Sequence, residues 1–281
     1  MSPSRACVAA FAGLALAGMP AGAGNSDRVE GRERAVYRWT GPAPDGFANN
    51  GFMQRVAPGG PSTEISIETD FSPLGSRVPW PVPARRGADG IAVHRVIGSE
   101  GDRLAAGSRT LYEAALRILS EVKRRMRYDA AGTSEPDAAL AAGRGNCVAF
   151  ASLAIRWLGG AGIAARPVTG VYLPRAQSRI ELSGGALHRF IEIHFPDRGW
   201  VFTDPNFTFG AVTSEYLYLG PAGADYSRYL GVSIERTALE SGLAVEPRGG
   251  ELFYSRANVR DRLLERPAPA ISVPLNPDGS L

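Results

Sequence analysis

The sequence predicts a mixed fold of α-helices and β-strands. Two segments in the middle of the chain, residues 108–127 and 148–158, carry apolar residues at helical spacing. Three later segments, residues 165–172, 187–195 and 200–204, carry the alternating or β-branched runs that are typical of strands. A long stretch rich in glycine and proline precedes the first helix, and it contains further short runs of strand type.

The composition is that of an ordinary globular protein. Its 281 residues suffice to bury a hydrophobic core, and 44% of them are hydrophobic while 21% are charged. These values exclude an intrinsically disordered chain and a multi-span membrane protein. The net charge of +3 is scattered along the chain, so no nucleic-acid partner is predicted. The densest basic run is interpreted as the solvated end of a helix, and it consists of Lys123, Arg124, Arg125 and Arg127.

The first 23 residues have the features of a secretory signal peptide. Residues 1–5 carry one positive charge, residues 6–18 are small and apolar, and Pro20 precedes three small residues. The apolar run is too short to span a bilayer of about 30 Å, so we expect no membrane anchor after cleavage. A secreted or periplasmic protein is therefore predicted, with a buried N-terminal helix or an uncleaved anchor as the alternative.

Cleavage of this segment would remove Cys7 and leave Cys147 as the single cysteine. A disulfide within the mature chain would then be impossible. A leftover cysteine in an exported protein indicates intermolecular pairing or a reactive thiol. A buried, inert thiol is the competing interpretation, because free cysteine is among the most buried residue types.

Residues 24–106 are predicted to form a β-rich N-terminal extension or a small domain. The runs of strand type lie at residues 35–40, 63–69 and 91–97, separated by loops rich in glycine and proline. The sequence leaves open whether these strands form a unit of their own or lie against the following segment.

The first predicted helix runs from a cap at Ser108 to about Arg127. One of its faces is apolar and the opposite face carries ion pairs spaced four residues apart, as expected of a helix that packs on a core. The apolar face is made by Leu111, Ala115, Ile118, Val122 and Met126, and the ion pairs are Glu113/Arg117 and Glu121/Arg125.

Two further helices are predicted around the remaining cysteine. Pro136 opens a short alanine-rich helix, which Gly143 ends. The next helix is buried, and it carries Cys147 on its first turn. The N-terminus of a helix favours negative charge, so this position lowers the pKa of a thiol and places a backbone N–H near a developing oxyanion.

A cysteine nucleophile also needs a base, and the chain has three histidines: His94, His188 and His194. His188 begins one predicted strand and Asp204 ends the next, which makes them a plausible base and orienting group. If Phe195 pairs with Trp200 across the turn, His188 and Asp204 are three residues out of register, about 10 Å along a strand. The pair therefore requires a bulge or a shifted register.

The other two histidines are predicted to lie outside this centre. His194 is six residues beyond His188, about 20 Å along an extended chain, so a zinc site shared by both is excluded. His94 stands alone and is interpreted as a structural or surface residue.

Together these segments resemble the transglutaminase-like superfamily over about residues 111–219. The matching motifs are Gly145-Asn146-Cys147 with Phe150-Ala151, Gly162-Ile163-Ala164-Ala165-Arg166, Gly170-Val171-Tyr172, His188-Arg189-Phe190-Ile191-Glu192-Ile193, Gly199-Trp200 and Asp204-Pro205. The resemblance implies a papain-like α+β core in which a cysteine-bearing helix packs on an antiparallel sheet. It also implies that Cys147 is the nucleophile, His188 the general base and acid, and Asp204 the orienting residue.

The sequence departs from the family pattern at three positions: Arg189 replaces a small residue, Phe190 a tryptophan, and Asn206 a threonine or serine. These departures remove no catalytic atom, and Arg189 should face away from His188 on a strand. Glu192 is interpreted as a structural partner of an arginine. Three aromatic residues are interpreted as core residues, namely Phe150, Trp157 and Trp200.

The sequence therefore predicts an exported acyl-transfer enzyme that acts on amide or peptide bonds of a protein or peptide. Hydrolysis is favoured over protein cross-linking, and an inactive domain that binds peptide or cell-wall polymer is the alternative from another class. No cofactor is implied, and no loop of the EF-hand type supports a calcium site. The predicted organisation is a catalytic core at residues 107–220 and a C-terminal extension at residues 221–281 with a mobile proline-rich end.

Overall fold

We describe the protein from a computed structural model. The predicted signal peptide, part of the predicted strand at residues 91–97 and most of the proline-rich end lie outside the described residues. The structure describes residues 27–72, 74, 76–82, 94–246, 254–256 and 271–272.

The helices are α1 (Glu100–Ala105), α2 (Leu111–Arg125), α3 (Pro136–Ala142) and α4 (Cys147–Gly160). The strands are β1 (Asp27–Glu30), β2 (Arg32–Thr40), β3 (Phe47–Asn49), β4 (Phe52–Gly59), β5 (Ser62–Asp70), β6 (Arg127–Tyr128), β7 (Arg144–Gly145), β8 (Ala165–Tyr172), β9 (Arg179–Glu181), β10 (Leu187–Phe195), β11 (Gly199–Thr203), β12 (Thr208–Phe209), β13 (Tyr216–Pro221), β14 (Ser233–Glu246), β15 (Tyr254–Arg256) and β16 (Ile271–Ser272). Within the described ranges, every helix is too short or too polar to cross a membrane.

The predicted helices are confirmed, with corrections at both ends of α2. The helix ends at Arg125, so Arg127 of the basic run lies on β6 and not at the helix end. Thr110, not Ser108, caps this helix, because its hydroxyl accepts the N–H of Glu113. Ser108 lies in the loop that precedes the cap. The ion pairs of Glu113 with Arg117 and of Glu121 with Arg125 form as expected.

A four-stranded antiparallel sheet of order β11-β10-β8-β13 lies at the centre of the predicted catalytic core. Helix α4 packs against β10 and β8 and buries its apolar residues there. Phe150 and Trp157 of this helix are buried, as predicted, while Trp200 on β11 is only half-buried. Trp200 is held instead by the guanidinium of Arg166, which lies 4.0 Å from the centre of its ring.

A larger sheet brings together the two ends of the described chain. Its order is β12-β15-β1-β14-β2-β5-β4-β3, with β9 and β16 also paired to β14. The 14-residue strand β14 lies antiparallel to both β1 and β2, so strands from before and after the core form one sheet. The inner face of β2 buries Ala35, Tyr37 and Trp39, whereas its outer face is largely exposed and polar.

The strands predicted at residues 35–40 and 63–69 are confirmed within β2 and β5. The described part of the third run, residues 94–97, is not a strand. It is a loop, because the N–H of Val96 donates to the carbonyl of Gly160 and the chain then turns into Ser99, the cap of α1. The protein therefore has an α+β fold with a β-rich N-terminal region.

Candidate active site

Cys147 is the first residue of α4, and the two residues before it explain its position. A Cβ atom on Gly145 would lie 2.7 Å from the Cβ of Ala139 and 2.9 Å from that of Ala149, so only glycine allows this close packing. The side chain of Asn146 caps the helix by accepting the N–H groups of Val148 and Ala149. This cap does not use the N–H of Cys147.

His188 and Asp204 meet directly, with 2.7 Å between Nε2 and Oδ2. The pairing register of β10 and β11, which the sequence alone does not determine, explains this contact. Phe195 pairs with Gly199 and Ile191 with Thr203. This register differs by one residue from a pairing of Phe195 with Trp200. Asp204 then follows Thr203 and lies opposite Phe190, two residues from His188 and on the same face of the sheet. The shifted register thus brings the two side chains together.

The carboxylate of Asp204 is buried and accepts three hydrogen bonds. Its Oδ2 accepts from His188 and from the hydroxyl of Tyr216 at 2.6 Å, and its Oδ1 accepts the backbone N–H of Asn206 at 2.9 Å. These donors hold the carboxylate in one orientation. Burial alone would raise the pKa of Asp204, but the charge of His188 and the hydrogen bonds hold it below its usual value.

The thiol and the imidazole shift each other's ionisation. Burial raises the pKa of Cys147, but the hydrogen bond and charge of His188, together with the backbone N–H of Arg189, outweigh burial and lower it. Burial also opposes the charged form of His188, but Asp204 and Cys147 raise its pKa to about 10. Both shifts favour a thiolate next to an imidazolium. Because Nε2 faces Asp204, Nδ1 is the nitrogen left for the thiol.

Aromatic rings surround the imidazole of His188. The ring centres of Tyr172, Phe190 and Tyr216 lie 5.9, 6.2 and 5.7 Å from that of His188. The side chain of His188 retains 12% exposure. Tyr128 stands nearby, and burial together with the negative charges of Cys147 and Asp204 raises its pKa to about 12.

The remaining residues that the sequence singled out lie apart from this centre. Glu192 accepts from Arg166 at 2.7 Å and from Asn49 at 3.0 Å, which confirms its role as a structural partner of an arginine. His194 packs on Trp200, with 5.1 Å between the ring centres. His94 is exposed. Among the described residues, no group of three acidic, histidine or cysteine side chains could hold a metal ion.

Tyr216 and Tyr172 lie at the site without having been predicted there from the sequence. Tyr216 pairs with Tyr172 between β13 and β8, and this pairing carries both rings to His188. A tyrosine at the start of a short strand has no chemical signature of its own. The Gly170-Val171-Tyr172 motif was a signal for Tyr172, but its contact with the histidine depends on the sheet register.

Comparison with known proteins gives one family and several distant structures. The family model of the transglutaminase-like superfamily matches residues 101–205, a range that includes Cys147, His188 and Asp204. No curated protein matches the chain. The chain is similar to a candidate cysteine protease from Cytophaga hutchinsonii, at 12% sequence identity and a TM-score of 0.40, over 82% of this chain and 94% of that one. It is also similar to the periplasmic domain of TgpA from Pseudomonas aeruginosa, at 12% identity and a TM-score of 0.33, over 68% of this chain and 94% of that one.

Proposed function

We propose that this protein is a cysteine-dependent enzyme that hydrolyses amide or peptide bonds, and the match of residues 101–205 to the transglutaminase-like superfamily supports this proposal. The proposal depends above all on the contact of 2.7 Å between His188 and Asp204, with His188 also hydrogen-bonded to the thiol of Cys147. In this proposal Cys147 is the nucleophile, His188 the general base and acid, and Asp204 the residue that orients the imidazole.

The first half of the reaction forms an acyl-enzyme. Nδ1 of His188 takes the thiol proton, and the sulfur of Cys147 attacks the carbonyl carbon of the substrate. The negative oxygen of the tetrahedral intermediate accepts a hydrogen bond from the N–H of Cys147 at the positive end of α4. The carbon–nitrogen bond then breaks as His188 returns the proton to the leaving amine, and a thioester remains on Cys147.

Water completes the second half. His188 takes a proton from water as its oxygen attacks the thioester carbon, and the sulfur leaves and is protonated again. The product is a carboxylic acid. Cys147 and His188 both keep partial exposure, which supports access of water to the thioester and thus hydrolysis rather than transfer to an amine. We propose a protein or peptide as the substrate, and no bound cofactor takes part.

We also propose that the enzyme acts outside the cytoplasm, after removal of residues 1–23. The signal-like N-terminal sequence supports this location. Export would leave Cys147 as the only thiol of the mature protein, so oxidation could not pair it within the chain.

The reactivity of Cys147 tests the proposed ion pair. We expect the rate of alkylation by iodoacetamide, followed by mass spectrometry across pH, to report a thiol pKa below the ordinary value of about 8.5. His188→Ala should raise this pKa, because it removes the neighbouring positive charge and the hydrogen bond. His194→Ala is the matched control, since His194 packs on Trp200 instead. A profile centred near 8.5 in wild type and in His188→Ala alike would show that the two groups are not coupled.

Tyr216→Phe tests whether the second donor to Asp204 positions the carboxylate. The change removes a single hydroxyl from a buried ring, so packing is retained, while Oδ2 loses the donor at 2.6 Å. We expect kcat to fall about ten-fold, or roughly 1.4 kcal/mol of barrier, with KM and melting temperature little changed. An unchanged kcat would show that Tyr216 contributes only packing and does not position Asp204.

A further inference from the structure

A cavity of about 420 Å³ opens beside the proposed active site, on the far side of Tyr172 and Phe207. The ring of Tyr172 lies 5.9 Å from that of His188 and 6.5 Å from that of Phe207. Tyr172 therefore both lines the cavity and packs against the imidazole of the proposed site. The volume is in the range of sites for small molecules, about 300 to 1,000 Å³.

Both the core and the large sheet line this cavity. Tyr172, Arg175, Phe207, Thr213 and Glu215 belong to the core, and Val29, Phe71, Ser241, Leu243 and Val245 belong to the sheet or to the loop after β5. The strands outside the family match thus build half of a cavity that adjoins the proposed site. The extensions therefore supply one wall of this cavity.

The charged groups of the lining already have partners. Arg175 contacts both Glu33 and Glu215, the second pair at 3.4 Å. Glu215 also accepts the hydroxyl of Thr213 at 2.8 Å, while Glu33 accepts the N–H and hydroxyl of Ser214. An acidic ligand would lie next to the carboxylate of Glu215, and a basic ligand would lie next to the guanidinium of Arg175. In either case the ligand would face a group of its own charge that is already paired. The surface left for a ligand is mostly apolar.

We propose that this cavity is a specificity pocket for a bulky, uncharged apolar side chain of the substrate, adjacent to the bond that is cleaved. The proposal builds on the function proposed above, since the pocket serves a substrate held at Cys147. Aliphatic residues from the large sheet and the rings of Tyr172 and Phe207 provide the contact surface. Burial of such a side chain against them contributes binding that alanine cannot supply.

Peptidyl vinyl sulfones that alkylate Cys147 test the pocket without knowledge of the natural substrate. One series places phenylalanine, leucine, alanine, lysine or glutamate at the first or second residue before the electrophile. A second series varies the group on the sulfone, which occupies the side of the leaving amine. In at least one position we expect phenylalanine or leucine to react about ten-fold faster than alanine, and lysine and glutamate to react no faster than alanine.

Val245→Trp tests whether this selectivity arises in the cavity. Val245 lines the pocket from β14 opposite Val29, so an indole there fills the space. We expect the ratio of the phenylalanine to the alanine rate to fall to about one. Glu240→Trp is the matched control on the same strand, because its side chain is 73% exposed and lies outside the pocket, and it should retain the wild-type ratio.

The outcomes separate this proposal from the function on which it depends. Equal rates for all side chains in every position, or a phenylalanine preference that Val245→Trp leaves intact, would overturn the pocket while Cys147 still reacts with iodoacetamide. Faster reaction of the lysine or glutamate probe would assign the cavity to a charged side chain and also overturn the proposal. Failure of Cys147 to react even with iodoacetamide would instead overturn the proposed function, and the pocket with it.

Discussion

Cys147→Ala is expected to abolish all turnover of amide or peptide substrates while leaving the fold intact. The sulfur atom makes the bond to the acyl group, so no other group at the start of α4 can replace it in this chemistry. The side chain is only partly buried, and its loss should change the free energy of unfolding by no more than about 1 kcal/mol. Hydrolysis assays and thermal unfolding of the same preparations measure both quantities.

Ser152→Ala is the matched control for this variant, because it removes one small polar group from the same helix without touching the site. It should keep wild-type turnover. If Cys147→Ala also keeps turnover, the protein is not a cysteine enzyme. If the variant loses several kcal/mol of stability and the wild type shows no activity on any substrate, Cys147 is better explained as a buried structural thiol.

The features that the sequence predicted are those that depend on neighbouring residues. Apolar spacing located α2 and α4, and Pro136 and Gly143 bounded α3, since Gly143 has the left-handed conformation that favours glycine at a helix end. The cap of α2 was misplaced by two residues because Ser108 and Thr110 both carry a suitable hydroxyl. Which hydroxyl caps a helix depends on where packing starts the first turn, which the local sequence does not specify.

The features that escaped prediction depend on pairing between distant segments. Strand β14 lies beside β2, so that Ser233 pairs with Thr40 and Ser241 with Glu33 across about two hundred residues of sequence. No local pattern specifies such a partner, and therefore the sheet shared by the two extensions was not predicted. The cavity beside the site depends on the same pairing, because β14 supplies one of its walls.

The site itself was predicted in its residues but not in its geometry. The start of a predicted helix, the small number of histidines and the family resemblance indicate Cys147, His188 and Asp204. Their contact depended on a register that differs by one residue from the pairing first considered, and a shift of one residue moves a side chain to the opposite face of a sheet. Tyr216 was missed because a hydroxyl on a buried strand becomes informative only once the position of Asp204 is known.

Asp204→Asn is expected to lower kcat by about ten-fold to a thousand-fold, or roughly 1.4 to 4 kcal/mol of barrier. The amide carries no charge to stabilise the imidazolium of His188, so the pKa of His188 should fall from about 10 and the thiolate should lose its partner. The hydrogen bonds of Asp204 give a second reason to expect a lower kcat. Asp204 accepts hydrogen bonds at both oxygens, and an amide that keeps its oxygen toward His188 turns its NH₂ toward the N–H of Asn206, donor against donor.

Asp225→Asn provides the matched control for Asp204→Asn, because the carboxylate of Asp225 is exposed and accepts local hydrogen bonds from the backbone N–H and the side chain of Ser227. Steady-state kinetics and the pH dependence of alkylation should change for Asp204→Asn and remain at wild-type values for Asp225→Asn. The loss should be smaller than in hydroxyl-based triads, because a cysteine is already partly ionised before the substrate arrives. Turnover within a factor of two of wild type would make Asp204 a structural residue of the turn after β11. The reaction would then depend on Cys147 and His188 alone, and the third group would have to be sought among nearby amides such as Asn206.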